Sequence, residues 1–377
     1  RYFGNEEAMT AAEQYTKERE QQLQLLEEST LQAELELNSA PIVQLVKTMI
    51  EQAVRQRASD IHIEALEKKV RIRYRIDGIL AEKMMYDAAL LSAIVTRIKI
   101  LGRMDISEKR KPQDGRITIT VDHAEYDVRV SVLPTSYGEK VVMRIASATG
   151  LTKEKSELGF KDWEMKRFDH ILSNPNGMIL VTGPTGSGKS TTLYTALSEL
   201  NSEEVNIVTV EDPVEANIPG INQVQVNTKA ELTFANALRA ILRQDPDIIM
   251  IGEIRDYETA SIAVQASITG HLVVSTVHTN SSAATVTRLI DMGVEPFLLA
   301  DSLVGVIAQR LVRRLCTSCR RQRPATEQEK ELLGAPADQQ LMIYVPTGCS
   351  LCAETGYYSR IGVYEIMEIT PSLKRII

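Results

Sequence analysis

The sequence predicts an α/β fold: a mainly parallel sheet with helices on both faces, preceded by a smaller α+β domain. Three observations predict it. From Lys161 onward short apolar runs alternate with helix-length segments, the rhythm of parallel strands joined by crossover helices. Between residues 40 and 146 the apolar residues instead recur with period two around a hairpin signal. The stretch GPTGSGKST, residues 183–191, links an apolar run to a helix-length segment, giving strand, glycine loop and helix in order.

Taken from the start, residues 1–38 are rich in Glu and Gln with few aromatics, and read as a partly helical linker. Ser39 is placed to cap a helix whose first turn holds Pro41, and Ile42, Leu45, Val46, Met49 and Ala53 line one face of it. Val70, Ile72, Tyr74 and Ile76 then alternate with charged residues as in a half-buried strand, and Asp77-Gly78 turns the chain before Ile79. A helix over Leu90–Leu101 and strands over Arg116–Val121, Tyr126–Leu133 and Lys140–Ala146 complete an α+β domain spanning 39–146. The polar segment 147–160 is the expected hinge. In 161–377 strands are expected at 178–182, 206–210, 222–226, 247–251 and 272–277, with helices at 189–200, 232–244, 256–268 and 281–291.

At 377 residues, a prior of about 150 residues per domain suggests two or three domains. Hydrophobic residues make up 44% and charged residues 25%, as in ordinary globular proteins. No run of 18 apolar residues occurs and no secretory signal opens the chain, so a cytoplasmic location is expected. The first residue is Arg1 rather than Met, which we take as the mark of a portion of a longer protein. A net charge of −7 argues against a dedicated nucleic-acid binder. The charge is uneven: residues 1–50 hold 4 Lys/Arg against 9 Asp/Glu, whereas residues 51–150 hold 18 against 14. A basic segment inside an acidic protein is suited to phosphates.

The loop supplies the first chemistry. Gly183, Gly188, Lys189 and Ser190 satisfy G-x-x-x-x-G-K-[ST] after the apolar run Met178–Thr182. Through Gly183, Pro184, Thr185, Gly186, Ser187 and Gly188 the backbone can turn its N–H groups toward phosphate oxygens, with Thr191 opening the helix. Lys189 would reach the β- and γ-phosphates of ATP, and the Ser190 hydroxyl would ligate Mg²⁺. A mere glycine-rich turn is the alternative, and the flanking strand and helix speak against it.

Carboxylates follow two later apolar runs: Glu211, Asp212 and Glu215 in VEDPVE, and Glu253 in IGEIRD, where the simplest form of the motif has Asp. At strand ends such groups can hold Mg²⁺ or act as general base, though either could instead cap a helix. His271 and His278 are seven apart across a strand, which puts them on opposite faces and argues against a shared ligand. His278, at the carboxyl end, is the better sensor of a γ-phosphate; for His271 structural and functional roles stand equal.

Cys316, Cys319, Cys349 and Cys352 form two C-x-x-C pairs. Thiols stay reduced in cytosol, so four thiolates around a structural Zn²⁺ fit better than disulfides. The 29 residues between the pairs exceed the usual spacing. Their basic flank, RRLCTSCRRQR, is a weak pointer to nucleic acid.

The stretches ASDIHIE, RYRIDGIL, KPQDGRITI, RVSVLPTSYGEKVVMRI, GPTGSGKSTTLY, TVEDPVE, DIIMIGEIRD and TGHLVVSTVHTN together resemble the secretion-superfamily ATPases, the hexameric motors of type II secretion and type IV pilus assembly. The resemblance runs from about residue 40 to the end. It implies a RecA-like P-loop domain behind a PAS-like N-terminal domain, with a tetracysteine zinc module at about 312–356. By resemblance Glu253 lies near Mg²⁺, Glu211 is the general base, His278 senses the γ-phosphate and His271 completes the His box. Arg116, Arg129 and Arg144 match family positions that reach a neighbouring subunit's nucleotide, although on alternating strands they could equally be solvated. The resemblance further implies a homohexamer at the cytoplasmic face of the bacterial inner membrane. It would be held there through a platform protein and docking proteins, without stable nucleic-acid binding. The tetracysteine module speaks against the retraction motors. LPTSYGEKVVMRI leans toward pilus assembly, by pilin polymerisation, over type II secretion. A nucleic-acid translocase and a slow nucleotide-dependent assembly module are the rivals from other classes.

Overall fold

The structure is a computed structural model that describes residues 40–147 and 151–377. The linker 1–38, the Ser39 cap and residues 148–150 of the expected hinge lie outside the described residues. Contacts divide the chain between Ala146 and Ser147.

In the first unit, helix α1 (Ala40–Arg55) leads into strands β1 (Ala58–Ala65), β2 (Lys69–Ile76) and β3 (Ile79–Asp87), then helix α2 (Leu90–Leu101) and strands β4 (Gln113–Val121), β5 (Ala124–Thr135) and β6 (Gly138–Ser147). They form one sheet in the order β3-β2-β1-β6-β5-β4. The Asp77-Gly78 turn, with both residues at positive φ, closes the β2–β3 hairpin as its sequence demands. Period two sorts the side chains. Ile61, Ile63, Val70, Ile72, Tyr74, Val141 and Met143 bury one face in a core with Met49 of α1 and Ile94 and Ile98 of α2.

The other face carries charge. Asp60 lies 3.2 Å from Arg144 and 3.5 Å from Arg75, and Glu64 bonds Arg71 and Arg73. Arg116 stands directly opposite Arg129 in the β4–β5 register. On the helix α2, Lys99, 1% exposed, is neutralised by Glu139 at 2.7 Å and donates to the Glu108 carbonyl at 2.7 Å.

The second unit is the α/β layer. Its strands are β7 (Gly177–Thr182), β8 (Ile207–Glu211), β9 (Asn222–Gln225), β10 (Ile248–Ile251), β11 (Leu272–Val277), β12 (Leu303–Leu315) and β15 (Tyr357–Glu368), ordered β15-β12-β7-β11-β10-β8-β9. All neighbours are parallel except the β12–β15 pair. Helices α3 (Asp162–Leu172), α4 (Lys189–Leu200), α5 (Phe234–Ile241), α6 (Tyr257–Ile268), α7 (Ser282–Asp291) and α8 (Pro296–Ser302) connect them. Two cores result, one on each face of the sheet. The short strands β7, β8, β10 and β11 are buried at every position, which explains their unbroken apolar runs.

Three differences from the sequence expectation have physical causes. β12 follows α8 without a loop, so no turn residues announce it, and Arg310, Arg313 and Arg314 break its apolar run. α5 is shorter than 232–244, because Thr233 caps it through the Asn236 N–H and the chain reverses at Asp245, φ 51°. Residues 151–160, expected in the hinge, belong to the second unit. Leu151 and Phe160 pack on its core, and Lys155 pairs with Asp169 and Glu199.

Between β12 and β15 lies a small excursion with a hairpin of β13 (Arg321–Pro324) and β14 (Met342–Val345) and the helix α9 (Glu327–Leu332). The last helix, α10 (Pro371–Lys374), closes the chain.

The Lys99–Glu139 pair yields a stability test. Lys99→Met leaves a buried carboxylate without its cation and should cost about 3 kcal/mol. Urea unfolding of Lys99→Met/Glu139→Leu should show much of that loss recovered, since an apolar pair leaves no charge stranded.

Candidate active site

The glycine loop sits where the parallel strands β7 and β11 end together, beside β12, which continues past them. Thr182, the last residue of β7, is in register with Val277 of β11 on one side and Ala308 of β12 on the other. The next residues, Gly183, His278 and Gln309, are therefore brought side by side.

Each strand holds the loop in its own way. The Thr182 hydroxyl donates to the Val277 carbonyl at 2.7 Å, accepts from the Thr279 N–H at 2.9 Å and meets the Thr279 hydroxyl. Gln309, 2% exposed, donates from Nε2 to the Ser187 carbonyl at 2.7 Å. Gly183 is at φ 145°, and a Cβ there would run into the Gln309 carbonyl. Gly186 and Gly188 also have positive φ, so the loop's tight curve needs residues without a side chain. Pro184, Thr185 and Gly186 stand exposed at its crest. Lys189, 9% exposed, points its ammonium back along the loop to the carbonyls of Gly183 at 2.9 Å and Pro184 at 3.1 Å. Burial lowers its pKa, with Glu253 opposing. Ser190 and Thr191 begin α4 beside it.

Glu253 joins this cluster. The turn after β10 is fixed by Gly252 N–H to the Val210 carbonyl, Ile254 N–H to the Thr276 carbonyl and Thr276 Oγ1 to the Gly252 carbonyl. Glu253 there bonds Arg255 and lies 3.5 Å from His278 Nε2. Burial, then the Lys189 charge, pushes the His278 imidazole below its ordinary value, so it is neutral at pH 7. Lys189, His278 and Arg255 thus gather around one carboxylate at the mouth of the loop.

Glu211 ends β8 next to Gly252 but points elsewhere. It is 3% exposed and accepts from Tyr194 of α4, from Thr209 Oγ1 at 2.6 Å and from Gln223 Nε2 at 3.1 Å. His271 is separated altogether. It precedes β11, its ring bonds the Ala266 carbonyl at 3.0 Å, and six strand residues put it about 20 Å from the loop. Within this chain its ring makes a local hydrogen bond and does not join the groups around the loop.

Of the arginines in the first unit, Arg116 is exposed, Arg129 is partly buried near Asp127, and Arg144 pairs with Asp60. Arg255, Gln309, Thr182 and Thr279 were not singled out from sequence. Only Arg255 left a signal there, two residues past a strand-end acid.

The four cysteines come together with every Sγ within 4.8 Å of the others. Cys316–Cys349, Cys319–Cys352 and Cys349–Cys352 lie at 3.9, 3.8 and 3.7 Å. Tetrahedral zinc with Zn–S bonds of about 2.3 Å requires S···S edges of about 3.8 Å, whereas a disulfide needs about 2.05 Å. Backbone N–H groups of Cys349 and Gly356 approach the Cys352 sulfur at 3.2 and 3.3 Å. Burial works against that thiolate, and these donors together with the Cys349 and Cys319 thiols outweigh it and lower its pKa, while Cys319 is pushed the other way. The donor set and spacing fit a closed zinc site. The basic flank is engaged nearby: Arg313 stacks on Tyr357, Arg320 on Tyr344, and Arg323 bonds Glu329.

Known proteins align with this arrangement. Residues 35–377 match the family model described as Type II/IV secretion system protein. The type II secretion system protein E of Aeromonas hydrophila is 52% identical over 340 residues, covering 90% of this chain and 68% of that protein. The type II secretion system ATPase E of Vibrio cholerae is 50% identical over the same coverage. Among solved structures, the ADP-bound pilus retraction motor PilT shares 26% identity at a TM-score of 0.59, over 87% of this chain and 84% of that one. The Legionella pneumophila ATPase DotB shares the fold at a TM-score of 0.64 and 22% identity, over 88% and 82%. With nine-tenths of its length matched at about half identity, the chain belongs to the Type II/IV secretion system protein family.

Proposed function

We propose that the chain is the ATPase engine of a type II secretion machine, working in a ring that drives assembly of a pseudopilus. The observation that carries ATP hydrolysis is the convergence of Lys189, Glu253 and His278 on the glycine loop at the carboxyl ends of parallel strands. The choice of machine rests on the relatives. Those near half identity bear type II secretion names, which favours secretion over the pilus-assembly reading expected from LPTSYGEKVVMRI. Among the described residues no helix is long and apolar enough to cross a membrane. Attachment at the cytoplasmic face of the inner membrane would come through platform and docking proteins.

Placement supports a division of labour for the groups around the loop, and the family resemblance supports the role of Glu211. Loop N–H groups and Lys189 bind the β- and γ-phosphates. Ser190 and Glu253 would hold Mg²⁺, which when bound neutralises charge between those phosphates. His278, neutral and half-exposed at the mouth, can donate a hydrogen bond to a γ-oxygen. Glu211 is the general base: it takes a proton from water as the new O–P bond forms and the bond to ADP breaks. Arg116 and Arg129, adjacent on one sheet face, present two guanidinium groups suited to the spread charge of the transition state in a neighbouring subunit. Cys316, Cys319, Cys349 and Cys352 would hold Zn²⁺ as a staple for the excursion between β12 and β15.

Lys189→Ala should lower turnover at least about a hundredfold through lost phosphate contact. Glu253→Gln should retain nucleotide binding and lose turnover to a similar extent; normal turnover in that variant removes Glu253 from the site. Elemental analysis should find about one zinc per chain. Cys316→Ser/Cys319→Ser should release it and speed hydrogen exchange across 316–356, whereas zinc near zero in chelator-free protein refutes the staple. Mixing inactive Arg129→Ala with inactive Glu253→Gln in co-assembled rings should restore partial activity, because some interfaces regain both groups. Co-assembly without recovery places the arginine outside any shared site.

A further inference from the structure

Glu211 poses a problem for a general base. Its carboxylate is 3% exposed, both oxygens are engaged, and its partners come from three elements: Tyr194 on α4, Thr209 on β8 and Gln223 on β9. Tyr194 is itself 1% exposed, and its hydroxyl also accepts the Glu215 N–H at 3.1 Å. Gln223 in turn holds the Ile218 N–H and the Ala216 carbonyl. The segment after β8 is therefore tied to the P-loop helix through Tyr194, and again at the helix end, where Asn201 donates to the Pro219 carbonyl at 2.9 Å.

Tyr194 lies five residues beyond Lys189, more than a turn down α4 from the phosphate end. A carboxylate bonded there has both oxygens taken up by protein donors. A base must come within hydrogen-bond reach of its water, directly or through one other water. The network as it stands denies that reach.

The geometry points to a latch: Tyr194 holds Glu211 in a resting position, and hydrolysis requires the carboxylate to leave Tyr194. This rests on the reading of Glu211 as general base. Because Tyr194 belongs to the helix that begins at Lys189, any shift of α4 when the loop grips phosphates is transmitted directly to the latch. Thr209 and Gln223 share the other carboxylate oxygen, so each donor adds to the hold. Tyr194 is a positioning residue; it meets no substrate atom in this role.

The test uses the intact assembled enzyme without its membrane partners. Tyr194→Phe keeps the ring and removes the donor, and Thr209→Val removes a second donor while preserving shape. Each should raise kcat, by roughly tenfold for loss of one hydrogen bond to a charged group, with KM for ATP changed less than about twofold. A merely structural role would lower kcat or disturb KM. If both variants keep the wild-type melting temperature within a few degrees and neither raises kcat, the latch is wrong. Should Tyr194→Phe fold poorly, Thr209→Val decides alone. Glu211→Gln separates the two ideas. Near-normal turnover in that single variant overturns the base assignment itself. Abolished turnover, alone and with Tyr194→Phe, upholds the base and leaves the latch to the first measurement.

Discussion

The parallel register of β7 with β11 and β12 is the constraint on which the site depends. Thr182 is the common partner of Val277 and Ala308, so Gly183, His278 and Gln309 fall at one level. A one-residue slip in either strand would turn His278 or Gln309 to the other face of the sheet. Register is secured by burial, since β7 and β11 have no exposed position, and by the Thr182–Thr279 hydrogen bonds at the exit. The loop's catalytic reach is thus inherited from the core beneath it.

The two strand-end carboxylates live in different surroundings. Glu253 is met by cationic or ionisable groups, Arg255, His278 and Lys189, at a partly open mouth. Glu211 is met by neutral donors in a sealed interior. Cationic company would suit the role proposed for Glu253, beside a metal and phosphates, where charge must be balanced as ligands come and go. Neutral hydroxyl and amide donors stabilise a carboxylate without competing cations, and they can exchange it for water at modest cost.

Much of this was legible in the amino-acid order, and the reasons differ by element. The P-loop was readable because its glycines meet a backbone need that no other residue fills, and the buried strands because solvent exclusion on both faces leaves an unbroken apolar run. The hairpin at Asp77-Gly78 was readable from turn chemistry alone. Gln309 was not: its hold on Ser187 joins residues 122 apart in sequence, and a glutamine in a strand carries no local sign of such a bond. The seclusion of Glu211 was equally hidden, because Tyr194 reads as an ordinary core aromatic. For His271 the sequence left structural and functional roles equal, and its ring bonds the Ala266 carbonyl ahead of β11.

The cysteine-bearing excursion leaves β12 and returns on β15, and its two ends, Leu315 and Tyr357, are opposite one another as antiparallel partners. To the sheet, then, everything between them is equivalent to an enlarged hairpin loop. Such an insertion can lengthen, shorten or be exchanged without altering strand order or the path of the chain through the core. The catalytic layer therefore does not depend on the length of this excursion, and the cysteine cluster closes a loop whose two ends the sheet already holds together.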